Sequence, residues 1–233
     1  MYIGNYEKNG SRIYLSENTK KFFVLNEKID KNKLKMIYPG VKVYKNRKKN
    51  ENNDLIVGSL SRVTIEKGQR LLLSSWRRVV DILPNAKLVI AGTGPDVEII
   101  KKMAKDLEIE RSVEILGFIE DKNKFYEKLS LFVFPSIWEL EGFGLVMAEA
   151  LSFGVPVAAF DNGASKEVVN EQVGKLVGEM SEKALAGAIV EELKNKNLVS
   201  KRDEAKKLAE NKFNLTRQAD LVLKEINDVA KGN

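Results

Sequence analysis

No histidine and no cysteine occur among the 233 residues. Their absence excludes disulfide bonds, zinc sites of the ordinary Cys/His type, Ser-His-Asp and Cys-His catalysis, and an imidazole base. Any chemistry is left to carboxylates, lysine, arginine, hydroxyls or the backbone. Long apolar runs are lacking too. The segment Met1 to Lys20 has no core of signal-peptide length, and no later run approaches the roughly 18 apolar residues of a membrane span, so a cytoplasmic location is expected. Neither sign of charge dominates, the net charge being +6 with 31% charged residues. The densest basic run, Lys45 to Asn50, lies in a polar, glycine-free stretch and reads as a solvated linker rather than a nucleic-acid or anionic-membrane contact. Asn214-Leu215-Thr216 matches a glycosylation acceptor by pattern alone.

What is present supports an α/β fold. An apolar content of 43% in a chain of this length suits one large domain or two small ones. From Asp54 onward, short apolar runs alternate with amphipathic segments, the pattern of a Rossmann-like, doubly wound parallel sheet. Strands are expected at Leu55 to Leu60, Leu88 to Ala91, Val113 to Leu116, Leu131 to Phe134, Val155 to Ala159 and Gly174 to Val177. After Gly68, the residues Leu71, Leu72, Trp76, Val79, Val80 and Leu83 share one helical face. Further helices are expected from Asp96 to Leu107, Lys122 to Leu129 and Gly144 to Phe153. Ser181 to Lys194, Val199 to Asn211 and Thr216 to Ala230 read as three carboxyl-terminal helices.

Turn residues recur at the carboxyl ends of the strands, where open parallel sheets bind ligands. Glu141 and Glu149 bracket one such turn, Glu141-Gly142-Phe143-Gly144-Leu145, which opens a helix. Glycines let main-chain N–H groups and the positive helix end approach an anion, while the two carboxylates suit hydroxyl-rich groups at either end of one ligand. A sugar, a diphosphate and a ribose, in that order, match this layout. Lys67, with Arg62 in the same loop, would place cations over the diphosphate. Glu139, without adjacent glycines, reads as an exposed loop carboxylate. Gly92-Thr93-Gly94-Pro95 lacks the third glycine of a dinucleotide fingerprint, position 97 being Val97.

The Glu141 to Glu149 segment resembles the Glu-x7-Glu signature of retaining glycosyltransferases with the GT-B fold, of the family-four or group 1 type. Pro39-Gly40-Val41, Lys67-Gly68, Ala91 to Pro95, Leu116-Gly117, Pro135-Ser136, Gly154 to Val157 and Gly174 to Val177 follow in the family's order. The resemblance covers the family's carboxyl-terminal half, the donor-binding half of the GT-B fold. Residues 1–50 are then expected to be a remnant of the amino-terminal domain and linker, and residues 51–233 the donor domain with its closing helices.

This resemblance implies transfer of a sugar from a nucleoside diphosphate to an acceptor with retention, without a metal or other cofactor. It implies that Glu141 holds sugar hydroxyls and adds negative potential near the anomeric carbon, with Lys67 and Arg62 opposing charge on the leaving group. Glu149 would hold the ribose. The backbone of Phe143, Gly144 and Leu145 would meet the distal phosphate, Gly58, Gly92 and Gly94 would line the cleft, and Phe118 would stack on the base. The family's usual Gly-Arg-Leu is here Gly58-Ser59-Leu60, so Arg62 stands in for a displaced arginine. Asp161-Asn162-Gly163 matches a turn beside the cleft. The bulk of an acceptor domain is expected to be missing, leaving the chain inactive or weakly active alone and in need of a separate acceptor-domain chain. That domain would carry any peripheral membrane contact. A homodimer is the other expected partner, through apolar residues Phe22, Phe23, Val24 and Ile37. The alternative reading is a non-catalytic nucleotide-sugar-binding module acting through a protein partner.

Overall fold

In the computed structural model, residues 12–27, 34–43 and 55–231 are described. A parallel pair, β1 (Arg12–Tyr14) and β2 (Leu34–Met36), flanks helix α1 (Glu17–Glu27). There follow β3 (Ile56–Leu60), α2 (Gln69–Ile82), β4 (Lys87–Ala91), α3 (Val97–Asp106), β5 (Val113–Gly117), α4 (Lys122–Glu127) and β6 (Leu131–Phe134). Then come α5 (Leu145–Ser152), β7 (Val157–Phe160), α6 (Ser165–Val168), β8 (Gly174–Val177), α7 (Glu182–Leu193), α8 (Leu198–Lys212) and α9 (Leu215–Ala230). The basic run at 45–50 lies outside the described residues. No described helix is long and apolar enough to cross a membrane.

The main sheet has six strands in the order β5-β4-β3-β6-β7-β8, every neighbour parallel. Its inner strands β6 and β7 are apolar and buried on both faces because helices cover both, as parallel crossovers require. Leu131 and Val133 of β6 join one core with Leu72, Trp76 and Val79 of α2 and Leu185 and Ile189 of α7. Phe132 and Phe134, pointing the other way, join Phe125, Met147, Leu151, Ala205 and Phe213. The period-two alternation thus divides each strand between two packed layers. The β7 strand begins at Val157, not Val155, because Val155 N donates to Ala150 O and closes the preceding helix.

The order reverses between β3 and β6, and the crevice outside their carboxyl ends is the fold's natural ligand site. Two loops meet there, residues 61–68 after β3 and 135–144 after β6. Gly68 makes their approach feasible: its φ is +71°, and a Cβ would fall 1.9 Å from Pro135 O.

The first segment is bonded to the rest of the chain. Val41 N donates to Phe213 O (2.6 Å) and Leu215 N to Val41 O (3.1 Å). Ser16 Oγ donates to Gly142 O, and the Glu167 carboxylate accepts from Glu17 N (2.8 Å) and Asn18 N (3.0 Å). Tyr38 packs on Phe143 and Phe213, and burial, followed by the negative charge of Glu167, pushes its hydroxyl up to about 12. Of the apolar residues expected to be open for a homodimer contact, Phe22 is exposed (41%) whereas Ile37 is only 7% exposed. Ile37 N donates to Tyr14 O at the end of the β1–β2 pair, and the side chain is covered there.

Candidate functional site

At the crevice, Lys67 Nζ lies 2.5 Å from Glu141 Oε2. The lysine closes a short 3₁₀ turn, Ile65–Lys67, whose geometry Gly68 completes. Glu141 is nearly buried, and the same Oε2 accepts from Ser136 Oγ at 3.0 Å. A buried carboxylate needs such partners, and here they come from both loops at the switch point. The turn 161–163 supports it from below: a Cβ on Gly163 would sit 2.8 Å from Glu141 Cβ. Glu139 is exposed, and its carbonyl accepts from Asn18 Nδ2.

Glu149 occupies a second position, one turn into α5. Its Oε2 accepts from Tyr126 Oη at 2.8 Å, and its Oε1 lies 3.0 Å from Lys122 Nζ. Both partners come from α4, the helix that joins β5 to β6. A cavity of about 220 Å³ opens beside it, lined in part by Gly40, Val41, Lys122, Tyr126, Leu145 and Phe153. Burial, then the charge of Glu149 and the bond to it, raise the Tyr126 phenol well above its ordinary range, so it remains a proton donor.

Between the two carboxylates stands the start of α5. Gly144 has φ +72° at the N-cap, and the amides of Phe143, Gly144 and Leu145 donate to no main-chain acceptor among the described residues. Free N–H groups at a helix start are suited to an anion. The Phe143 side chain is 4% exposed and belongs to the core, which leaves only its backbone for the site. Leu145 is exposed at the cavity.

The other sequence-predicted positions divide. The turn of Gly92 and Gly94 lies against the β3–α2 loop, where Cβ atoms would meet Ser61 O and Val63 O at about 2 Å. Val63 N donates to Thr93 O (2.9 Å), so β4 helps shape the loop carrying Lys67. Phe118 is 75% exposed just beyond β5. Gly58 lies inside β3 rather than at the rim, and a Cβ would strike Leu129 Cδ1 at 2.4 Å, which makes it a packing position against α4. The side chain of Arg62 is exposed and forms no ion pair among the described residues. Its carbonyl is held by Gln69 Nε2 at 3.0 Å.

Three polar partners were missed from sequence: Ser136, Tyr126 and Lys122. Ser136 stood in a noted Pro-Ser turn, yet its contact spans a loop. Tyr126 and Lys122 lie 23 and 27 positions from Glu149, and local spacing carries no signal for such pairs. Among the described residues, no group of three or more acidic side chains could hold a metal ion.

A family model described as glycosyl transferases group 1 matches residues 42–213. The chain belongs to this family. Poly(glycerol-phosphate) alpha-glucosyltransferase of Bacillus subtilis (strain 168) is 32% identical over 154 residues, covering 65% of this chain and 23% of that protein. Alpha-monoglucosyldiacylglycerol synthase of Streptococcus pneumoniae is 34% identical over 139 residues, covering 58% and 30%. Among solved structures, TarM of S. aureus, crystallised with UDP, superposes with a TM-score of 0.80 at 26% identity, over 95% of this chain and 48% of its own. Anabaena HepE shares the fold with a TM-score of 0.84 at 23% identity, over 93% and 63%. The group 1 chain described here therefore has the architecture of one half of a GT-B glycosyltransferase, and it spans about a quarter of the curated relatives it matches.

Proposed function

We propose that the chain binds a nucleoside-diphosphate sugar as the donor-binding part of a retaining glycosyltransferase. The observation that carries this reading is the meeting of Lys67 and Glu141 at the switch point, beside the amides that open α5, which donate to no main-chain acceptor among the described residues. The diphosphate lies over those amides, Glu149 takes the ribose, and Glu141 takes the sugar. In the absence of ligand the lysine neutralises Glu141. A bound diphosphate draws the same ammonium, which leaves Glu141 to the sugar hydroxyls and to positive charge developing at the anomeric carbon. Arg62, exposed on the same loop, adds positive potential above the site. Gly92 and Gly94 hold the loop in place, and Phe118 offers its ring to the base. No metal or other cofactor enters this scheme.

Acceptor positioning is assigned to a second body, either a separate chain or a further domain. Half a cleft leaves the reacting centre wet and the acceptor unheld, so transfer by residues 1–233 alone is expected to be slow. Any peripheral membrane contact is assigned to that body as well, and the reaction to the cytoplasm. The UDP bound by TarM supports uridine nucleotides as the first ligands to test.

Lys67→Ala is expected to lower affinity for UDP about tenfold, the loss of one charge-assisted bond, and to flatten its salt dependence. Titrations at two ionic strengths measure this. Unchanged affinity would remove the lysine from the diphosphate and the reading with it.

A further inference from the structure

We propose that Trp138 is the platform on which the hexose ring of the donor rests, indole face against the apolar C–H face of the sugar. This rests on the reading of Lys67 and Glu141 as the sugar end of a nucleotide-sugar site. The chain has two tryptophans, and their environments are opposite. Trp76 is fully buried beneath the sheet, whereas Trp138 is 44% exposed in the loop between β6 and α5. An exposed indole adds little to a core, so its position asks for another account.

The loop holds this ring in a defined place. Ile137 N donates to Glu66 O (2.9 Å), and Glu141 N donates to Trp138 O (3.0 Å). The turn 138–141 therefore couples the tryptophan directly to the carboxylate. Lys67 Nζ lies 5.2 Å from the Trp138 ring centroid while it also contacts Glu141. The ammonium touches both the ring and the carboxylate, so a ligand that draws it toward a diphosphate uncovers both at once.

A pyranose presents a rim of hydroxyls and a face of C–H bonds. It is best held by a carboxylate at the rim and a flat apolar surface at the face, and Glu141 and Trp138 supply these two surfaces side by side. A nucleoside diphosphate without its sugar has nothing to place there. The indole should thus distinguish a nucleotide sugar from the bare nucleotide.

The test uses the chain as it stands, with Trp138→Ala and Trp138→Phe variants, titrated with UDP, UDP-glucose, GDP and GDP-mannose. Trp138→Ala should weaken the preferred nucleotide sugar about three- to tenfold while changing the bare nucleotide less than about twofold, and Trp138→Phe should retain most of the affinity. Because Trp76 is sealed from solvent, a fluorescence change on binding reports Trp138. The nucleotide sugar, which covers the ring, should shift the emission differently from the bare nucleotide, which only withdraws the ammonium, and the difference should vanish in Trp138→Phe. Equal weakening of both ligands would show the ring acting only through Lys67 on the diphosphate, and would overturn the proposal. So would unchanged affinity for both, or a wild type that binds nucleotide and nucleotide sugar equally. A wild type that binds none of the four ligands would instead remove the donor-site reading itself.

Discussion

Replacing Glu149 by alanine is expected to weaken nucleoside diphosphate binding by about ten- to a hundredfold, as loss of one or two hydrogen bonds to a charged acceptor requires. The carboxylate already has a fixed orientation: Tyr126 holds Oε2, while Lys122, half exposed, rests on Oε1. On the proposed reading, a ribose diol needs to displace only the half-exposed lysine. Alanine would also leave the Tyr126 hydroxyl without its closest partner in a buried setting, at about 1 to 3 kcal/mol of stability. Affinity and melting temperature should therefore fall together in Glu149→Ala. In Tyr126→Phe affinity should fall with little change in melting, because the unsatisfied hydroxyl is removed along with the bond. Calorimetry of both variants separates the two effects. Undiminished nucleotide affinity in Glu149→Ala would take the ribose away from this residue.

Phe213→Ala is expected to cost about 3 to 5 kcal/mol of stability, the range for truncating a buried aromatic. Phe213 is fully buried, and its ring makes edge contacts with Tyr38 at 5.8 Å and Phe143 at 5.5 Å. These three rings come from the first segment, the end of α8 and the loop between the two glutamates. A cavity here should loosen the path from Glu141 to the start of α5 as well as the clasp around Val41. Urea denaturation should show the lost stability, and nucleotide titration of the folded variant should show weaker binding. A loss below about 1 kcal/mol would mean that the surrounding rings collapse into the space without strain.

Much of the candidate site's geometry was legible because its signals are local. The glutamates, the glycines that open α5, the Lys67-Gly68 turn and the alternating strand pattern each lie within a few residues of one another. Strand existence followed from apolar runs, and the site's place at the strand ends followed from parallel topology. Long-range pairing was not legible. Nothing near Tyr126 in sequence announces that its hydroxyl meets Glu149, and the exposed Trp138 looks like any apolar residue after a buried strand. Gly58 shows the converse, a packing role that local sequence does not announce. A glycine beside a cleft motif reads as a ligand contact, yet its missing Cβ makes room for Leu129. Ile37 was misjudged for a similar reason, since covering it depends on a short sheet between strands far apart in sequence, in which Tyr14 pairs with Met36.

The clasp between Val41 and residues 213–215 bears on how the molecule can bend. The chain enters the main sheet's domain and leaves it through two backbone segments that are hydrogen-bonded to each other, with Gly40 N also bonded to Gln218 Oε1 at 2.8 Å. Ser16 and Asn18 fasten the same first segment to the main-chain carbonyls of Gly142 and Glu141. A displacement of α9 should therefore be felt at the Glu141 loop, carried by main-chain bonds rather than by any side chain of the crevice.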